Sequence, residues 1–298
     1  MPVKKLIINK DNEGRRLDNF LLSIYKGVPK TKIYKIIRKG EVRINSSRAK
    51  PHSKLALEDI IRIPPNLISD ESHKKFINDK DIDFHLSNII YDDSNYLILN
   101  KRHGISVHGG TNNRVGLIDL VRKKFGKNFD LCHRLDKNTT GCLVFGKNKK
   151  AVKYFNKTLS NNDIKKTYLA ILKGRLKKNI SINKSIYKDD PEKLKTSKSK
   201  IKIIQRFKDC TLTEIEISTG RTHQIRIHTS SINHPILFDD RYGDYLFNKS
   251  FKTKSIKNIA LHSKSIVFKD VDSKLIKATA ELPMFFNDLI SELKKNIY

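Results

Sequence analysis

Apolar positions in the first sixty residues recur twice at helical spacing. Leu17, Phe20, Leu21 and Ile24 fall three or four apart, with Gly27 and Pro29 punctuating the end. Ile33, Ile36 and Ile37 repeat the pattern within residues 30–39, and Gly40 stops that second helix. A short strand is predicted within residues 1–12, an alternating strand over 41–45, and another over 60–63 that ends at Pro64 and Pro65. Residues 66–86 lose periodicity and turn polar, which reads as a linker. Beyond residue 87 the period changes. Two β-rich runs flank a turn at 92–95, a helix is predicted over 115–125, and the apolar run 142–145 reads as a strand. Next come a helix over 149–160 with Val152, Phe155 and Leu159 on one face, and a strand in KKTYLAILKG over 165–174. Residues 211–218 alternate, Thr213, Ile215 and Ile217 against Glu214 and Glu216, and a helix over 222–233 stops before His234 and Pro235. A strand over 261–268 and a helix over 283–296 complete the chain, and lysine-rich residues 184–200 read as a mobile excursion. Strands inside with helices outside predict an α+β fold. It comprises a small N-terminal α/β module over 1–70 and a larger domain over 87–298 with a mixed, mostly antiparallel sheet.

A length of 298 residues fits two such domains. The formal net charge of +30 changes the picture, because so basic a chain calls for a polyanionic partner. The charge is also patterned. Lys30, Lys32, Lys35, Arg38 and Lys39 lie on the arc of the second helix that its isoleucines leave free, and the stripe continues into Arg43 and Arg48. No apolar run approaches the length of a membrane span, and MPVKKLIINK lacks the apolar core of a signal peptide. Cys132, Cys142 and Cys210 are odd in number and lack CxxC spacing, which predicts reduced thiols in a cytoplasmic protein and no zinc site. His103 and His108 sit among glycines without a third ligand, so loop roles are expected rather than a metal. No dinucleotide, phosphate-loop or metal-ligand pattern occurs.

Candidate chemistry concentrates in LCHRLDKNTTGCLVFGK, residues 131–147, where a polar cluster around Asp136 runs directly into a strand. Taken alone, the HRLD string is better read as an aspartate capping its own turn, with Arg134 paired to it locally. Two later stretches match it in kind: STGRTHQIRIH over 218–228, dense in Arg and His without an acid, and KKTYLAILKG, which places Tyr168 in a strand behind two lysines. With HPILFDDRYGD over 234–244, these strings stand in the order of, and resemble, the RluA family of pseudouridine synthases. The N-terminal pattern of two helices, hairpin and basic second helix resembles the S4 RNA-binding domain.

The resemblance implies isomerisation of uridine to pseudouridine in structured RNA without a cofactor. Asp136 matches the catalytic aspartate, which could attack C1′ or C6 or act through a glycal intermediate. Arg226, the second arginine of GRTHQIR, would hold that carboxylate in bidentate geometry and favour its charged form. Tyr168 would stack on the uracil and assist proton transfer at C5. Arg134 would fill the gap left by the flipped nucleotide, and His133 and Arg221 would contact phosphates, whereas His223 and Gln224 would tie their motif to its scaffold. The S4-like module would bind RNA through Lys32, Lys35, Arg38, Lys39 and Arg43. HPILFDDRYGD and the N-terminal stretch look most like family members acting on the large subunit, which implies 23S ribosomal RNA or the assembling large ribosomal subunit as partner. A monomer without a membrane partner is expected. The alternatives are another branch of the family acting on the same RNA, and a non-catalytic RNA-binding or assembly protein.

Overall fold

The helical spacing of the first sixty residues closes on itself in the computed structural model, which describes residues 3–25, 28–65, 77–109, 115–186, 196–251 and 258–295. The chain divides into two units, Met1–Lys75 and Phe76–Tyr298. In the first, β1 (Lys4–Ile7), α1 (Leu17–Ile24), α2 (Lys30–Arg38), β2 (Arg43–Ile44), β3 (Ser47–Arg48) and β4 (Ile60–Ile63) follow in order. The strands form an antiparallel sheet in the order β1-β4-β2-β3. Leu17, Phe20 and Leu21 of α1 and Ile33, Ile36 and Ile37 of α2 meet Ile61 and Ile63 in one core. The strand predicted over 41–45 is short because Asn45 and Ser46 take positive φ and reverse the chain into β3.

The second unit begins with a correction. Within the stretch read as linker, Asp79–Leu86 forms α3, whose Asn78 side chain caps it by accepting from Lys80 N, while Ile82 and Leu86 are buried. Then come β5 (Ile89–Asp92), β6 (Tyr96–Lys101), α4 (Leu117–Phe125), β7 (Asp130–Leu131), β8 (Thr140–Gly146), α5 (Lys149–Ser160), β9 (Lys165–Lys173) and β10 (Ile180–Asn183). These are followed by β11 (Lys198–Arg206), β12 (Cys210–Ile217), α6 (Gln224–Ser231), α7 (Tyr245–Ser250), β13 (Leu261–Lys269), β14 (Leu275–Thr279) and α8 (Met284–Lys295). A sheet of 10 strands runs β10-β11-β12-β9-β13-β8-β6-β5, with β14 against β13 and β7 against β8. Among the described residues the β13–β8 pair is parallel and the other pairs are antiparallel, so the expected mixed, mostly antiparallel α+β architecture is found.

The centre of that sheet is apolar on both faces. Leu143 and Phe145 of β8 enter the core that includes α4 and α8, whereas Cys142 and Val144 pack with Phe155 of α5 and Phe268. A strand sealed on both sides is a rigid base for the loop that feeds it. The mobile excursion expected over 184–200 is partly replaced by β11, where Ser199 and Ile201 are buried and Lys198, Lys200 and Lys202 are exposed; residues 187–195 lie outside the described residues. Among the described residues no helix is long and apolar enough to cross a membrane.

Candidate active site

The loop over 135–139 enters β8 and is held from behind by a buried lysine. Lys101, at the end of β6, donates from Nζ to the carbonyl oxygens of Arg102, Lys137 and Thr139, each at 2.9 Å. Burial pulls this ammonium down to about 7, against the charge of Asp136. Thr139 N donates to Asp136 O at 3.2 Å, which closes the turn. Next in sequence, Thr140 Oγ1 lies 2.8 Å from His262 Nδ1, and the other ring nitrogen of His262 faces Ala280 O at 3.3 Å. A carbonyl only accepts, so Nε2 carries the proton and the threonine hydroxyl donates to Nδ1. Burial keeps that ring neutral, at about 4. Gly141 then permits the crossing of β8 and β13: its φ is +105°, and a Cβ there would sit 2.2 Å from Ser263 O.

Asp136 emerges from this mounting with its side chain 21% exposed, enough to meet a substrate. Arg226 Nη1 approaches one oxygen at 3.4 Å and His223 Nε2 lies 3.7 Å from the other. The bidentate grip expected of Arg226 goes elsewhere. Its Nε and Nη2 donate to the two oxygens of Asp239 at 2.7 and 2.6 Å, and Nη2 also donates to Asp240 at 2.7 Å. Asp239 can compete because it is itself fixed, accepting from the backbone N–H groups of Arg241 and Tyr242 at 2.9 Å each. Burial disfavours the Arg226 charge, but Asp239 with the neighbouring carboxylates outweighs it and raises the guanidinium further. Burial likewise works against the charge of Asp239, and the bonds from Arg226 and the backbone overcome it and lower the carboxyl.

His223 also departs from expectation. It precedes α6 in the left-handed region, φ 55°, which starts the helix later than the spacing predicts and turns the ring toward Asp136. Its Nδ1 pairs with the Tyr242 hydroxyl at 3.1 Å, so Tyr242 sets the ring while Arg226 lies 5.2 Å from the Tyr242 centroid. Gln224 does tie the motif to its scaffold. It accepts from Thr219 Oγ1 at 2.7 Å and from Arg221 N at 3.1 Å, and donates to Lys198 O at 3.0 Å.

A cleft of about 550 Å³ opens over Asp136, with Arg134, His223, Arg226 and His108 in its wall. A narrower recess of about 70 Å³ brings Asp136, Tyr168, Arg226, Arg134 and Arg221 together. Residues far apart in the chain thus share one opening. Burial raises the Tyr168 hydroxyl well above the ordinary tyrosine value, with Ser263 acting in the opposite direction. His133 is not among the lining residues of either space. Its Nε2 accepts from Val144 N at 3.1 Å and its ring stacks on Phe155, so the phosphate contact expected of it is replaced by a packing role; burial lowers it to about 3. Cys132 beside it is buried and free, its thiol pushed up by burial, which suits core packing. Among the described residues no cluster of three or more His, Cys, Asp or Glu could hold a metal.

Lys101, Asp239 and Tyr242 escaped the sequence reading. The pair Asp239–Asp240 stands in the DDRYGD string and was visible as two acids in a basic chain, whereas nothing around Lys101 marks that lysine as interior. In the N-terminal unit, Lys30, Lys32, Lys35, Arg38 and Lys39 are exposed on α2 and its end. Arg43 is partly committed to its hairpin, donating to Gly40 O at 3.2 Å and Ser46 O at 3.3 Å. Tyr34 lies among these cations, with Lys30 5.2 Å and Arg38 5.9 Å from its ring centroid, and its hydroxyl donates to the buried Asp18 at 2.6 Å.

Residues 95–231 match the family described as RNA pseudouridylate synthase, and residues 15–61 match the S4 domain. The ribosomal large subunit pseudouridine synthase C of Haemophilus influenzae is 35% identical over 99% of this chain and 96% of its own length. The proteins of the same description from Pasteurella multocida and Yersinia pestis are 37% identical over 89% of this chain and 86% of their own, and 35% identical over 99% and 97%, respectively. Among solved structures, human RNA pseudouridylate synthase domain containing 4 superposes with a TM-score of 0.60 at 22% identity, over 72% of this chain and 95% of that one. Human RNA pseudouridylate synthase domain containing 1 gives 0.57 at 21% identity, over 70% and 94%.

Proposed function

The chain belongs to the RNA pseudouridylate synthases with an attached S4 domain, and from that premise we propose that it isomerises uridine to pseudouridine in 23S ribosomal RNA, free or in the assembling large subunit. It acts in the bacterial cytoplasm, as a monomer and without a cofactor. The reading is carried by the convergence of Asp136, Tyr168 and Arg226 at one recess. The reaction detaches uracil from the ribose, turns it and reattaches it through C5, so it needs a carboxylate at the reacting centre and a shielded pocket for a base out of its stack. Asp136 supplies the carboxylate. Tyr168 lines the recess as the ring against which the uracil stacks and as the group nearest to C5 proton transfer. Arg226, locked by Asp239, presents Nη1 to Asp136 and sets its direction. Arg134, exposed at the rim, fills the gap left by the flipped nucleotide. The basic face of α2 holds neighbouring duplex by its backbone, as fits an RNA helix recognised by shape.

Asp136→Asn tests this directly. The variant is expected to bind 23S RNA as the wild type does and to form no pseudouridine, read by mapping modified positions in transcripts incubated with each protein. Product formation at the wild-type rate would overturn the assignment.

A further inference from the structure

Tyr34 lies on the basic face of α2 without belonging to the core beneath it. That core takes in Tyr25 and Ala49 at its edge but not Tyr34, which is left half-buried. Lys30, Tyr34 and Arg38 follow at intervals of four and so stand in one line along the helix. Both cations are exposed, and among the described residues neither makes an ion pair. Their charged groups lie 5.2 and 5.9 Å from the Tyr34 centroid.

From below, the ring is anchored. Its hydroxyl donates to Asp18 Oδ2 at 2.6 Å. Asp18 is 2% exposed and has other partners: Arg16 donates to its two oxygens at 3.1 and 2.7 Å, and Asn19 N donates to Oδ1 at 2.8 Å. The carboxylate is thus satisfied without the phenol, whereas the phenol has its direction set by the carboxylate. The result is a ring fixed between two unpaired cations on the surface that faces RNA.

A face that only follows a phosphate backbone needs charge and no aromatic ring. The π-face is itself negative and does not attract phosphate. What it offers is a flat apolar surface on which any base stacks, whatever its identity. Bases within an RNA duplex are covered by their neighbours, so a base free to stack on protein is an unpaired one. The flanking cations suit the same ligand. A nucleotide on the ring has a phosphate on each side, and Lys30 and Arg38 stand one helical turn to each side of Tyr34.

We propose that Tyr34, Lys30 and Arg38 form a platform that stacks one unpaired base of the RNA and holds the phosphates flanking it. Resting on the RNA-binding reading of this unit, the platform adds to it a selectivity that backbone contacts lack. It separates a duplex interrupted by an unpaired nucleotide from a continuous one, and it does so without reading sequence.

The test uses the full chain and two RNA duplexes of G·C pairs that differ by one bulged adenine; neither contains uridine, so turnover does not intrude. The parent protein is expected to bind the bulged duplex about tenfold more tightly, as fits one stacked base. Tyr34→Leu should erase that preference, with affinity for the continuous duplex within about twofold and the salt slope unaltered. Tyr34→Phe, which keeps the ring and loses only the bond to Asp18, should retain it. Lys30→Gln should flatten the slope of log affinity against log salt by about 0.7 with the bulged duplex, the release belonging to one phosphate. The chain has no tryptophan, so Tyr34→Trp puts the sole indole of the protein at the platform. Its emission should fall on saturation with the bulged duplex and change less with the continuous one. A ring that only anchors Asp18 behaves otherwise: Tyr34→Phe and Tyr34→Leu weaken both duplexes alike, and the indole does not distinguish them. That outcome, or a parent protein without the preference, or an unchanged slope in Lys30→Gln, overturns the platform. If Tyr34→Leu does not fold, the Phe and Trp variants decide the matter. Pseudouridine formed by Asp136→Asn strikes the proposed function and leaves the platform standing; a missing bulge preference with that variant inactive strikes the platform alone.

Discussion

Replacing Asp239 by asparagine isolates the contribution of the Arg226 clamp. The substituted amide keeps an oxygen for the backbone N–H groups of Arg241 and Tyr242, both at 2.9 Å, so the local turn survives. It loses the charge and turns an amide N–H toward Arg226 Nε, which had met an acceptor at 2.7 Å, while Nη2 keeps the remaining oxygen at 2.6 Å. The side chains concerned are 8% and 1% exposed, so solvent does not compensate. Breaking a buried ion pair costs about 3–5 kcal/mol, and the remaining partners Asp240 at 2.7 Å and Asp136 at 3.4 Å place this case near about 3 kcal/mol. For a unit of this size each kcal/mol lowers the melting temperature by about 2–4 °C, so the catalytic transition should fall by about 6–12 °C. Freed from its clamp, Arg226 swings toward Asp136 and drags the carboxylate off its line; a displacement of about 1 Å lowers kcat by about 100-fold. Affinity for RNA, held by cations elsewhere, should stay within about twofold of wild type. Calorimetry and single-turnover pseudouridine formation read the two effects, and an Asp239→Asn protein that melts and turns over like the wild type refutes the clamp.

Three further outcomes follow from other parts of the molecule. Thr140→Val removes the donor to His262 Nδ1 and should destabilise by about 1–3 kcal/mol in urea titrations, whereas Thr140→Ser, which keeps the hydroxyl, should stay within about 1 kcal/mol. His133 and His262 are held neutral, at about 3 and about 4, so the unfolded chain takes up protons below about pH 6.5 that the folded chain refuses; their contribution is complete above that pH and is lost as pH falls toward 4. Each should remove about 2 kcal/mol between pH 6.5 and 5, read by urea unfolding at several pH values, and His133→Phe should make the dependence shallower. Deleting residues 1–75 should leave the second unit folded, weaken 23S RNA binding and flatten its salt dependence; an unchanged slope would make the α2 stripe an ordinary solvated face.

Elements whose burial is one-sided could be read from sequence. Ile33, Ile36 and Ile37 place α2, and alternation through Thr213, Ile215 and Ile217 places β12, because one face of each packs and the other does not. Asp136, Tyr168, Arg226, Arg134 and Arg221 were legible as members of motifs that match a family in order, and the fold brings all five to one recess. What was missed depends on partners distant in sequence. Lys101 looks like any surface lysine until the carbonyls of Lys137 and Thr139 close around it. The family resemblance pairs Arg226 with Asp136, and only the backbone turn that fixes Asp239 shows why the stronger bond goes there. His133 sits between two functional-looking neighbours, yet its direction is dictated by Val144 and Phe155 across the strand. β11 was hidden by its lysines, since period-two alternation of Lys with Ser and Ile resembles a polar tract until Ser199 and Ile201 are seen to be inside.

The separation of tasks around Asp136 explains why its own contacts are long. A carboxylate gripped at 2.7 and 2.6 Å by two guanidinium donors, as Asp239 is, would have to break those bonds before acting on ribose or base, which would raise the barrier by about the strength of the pair. Here the firm bonds are one step removed. Lys101 fixes the loop through its carbonyl oxygens, Thr140 fixes the strand through His262, and Asp239 fixes the arginine. In the proposed role, Asp136 receives its position from the backbone and from a pre-set neighbour, while Nη1 at 3.4 Å leaves its oxygens able to exchange partners. Rigidity and availability would conflict in a single hydrogen bond, and distributing them over Lys101, Thr140 and Asp239 removes the conflict.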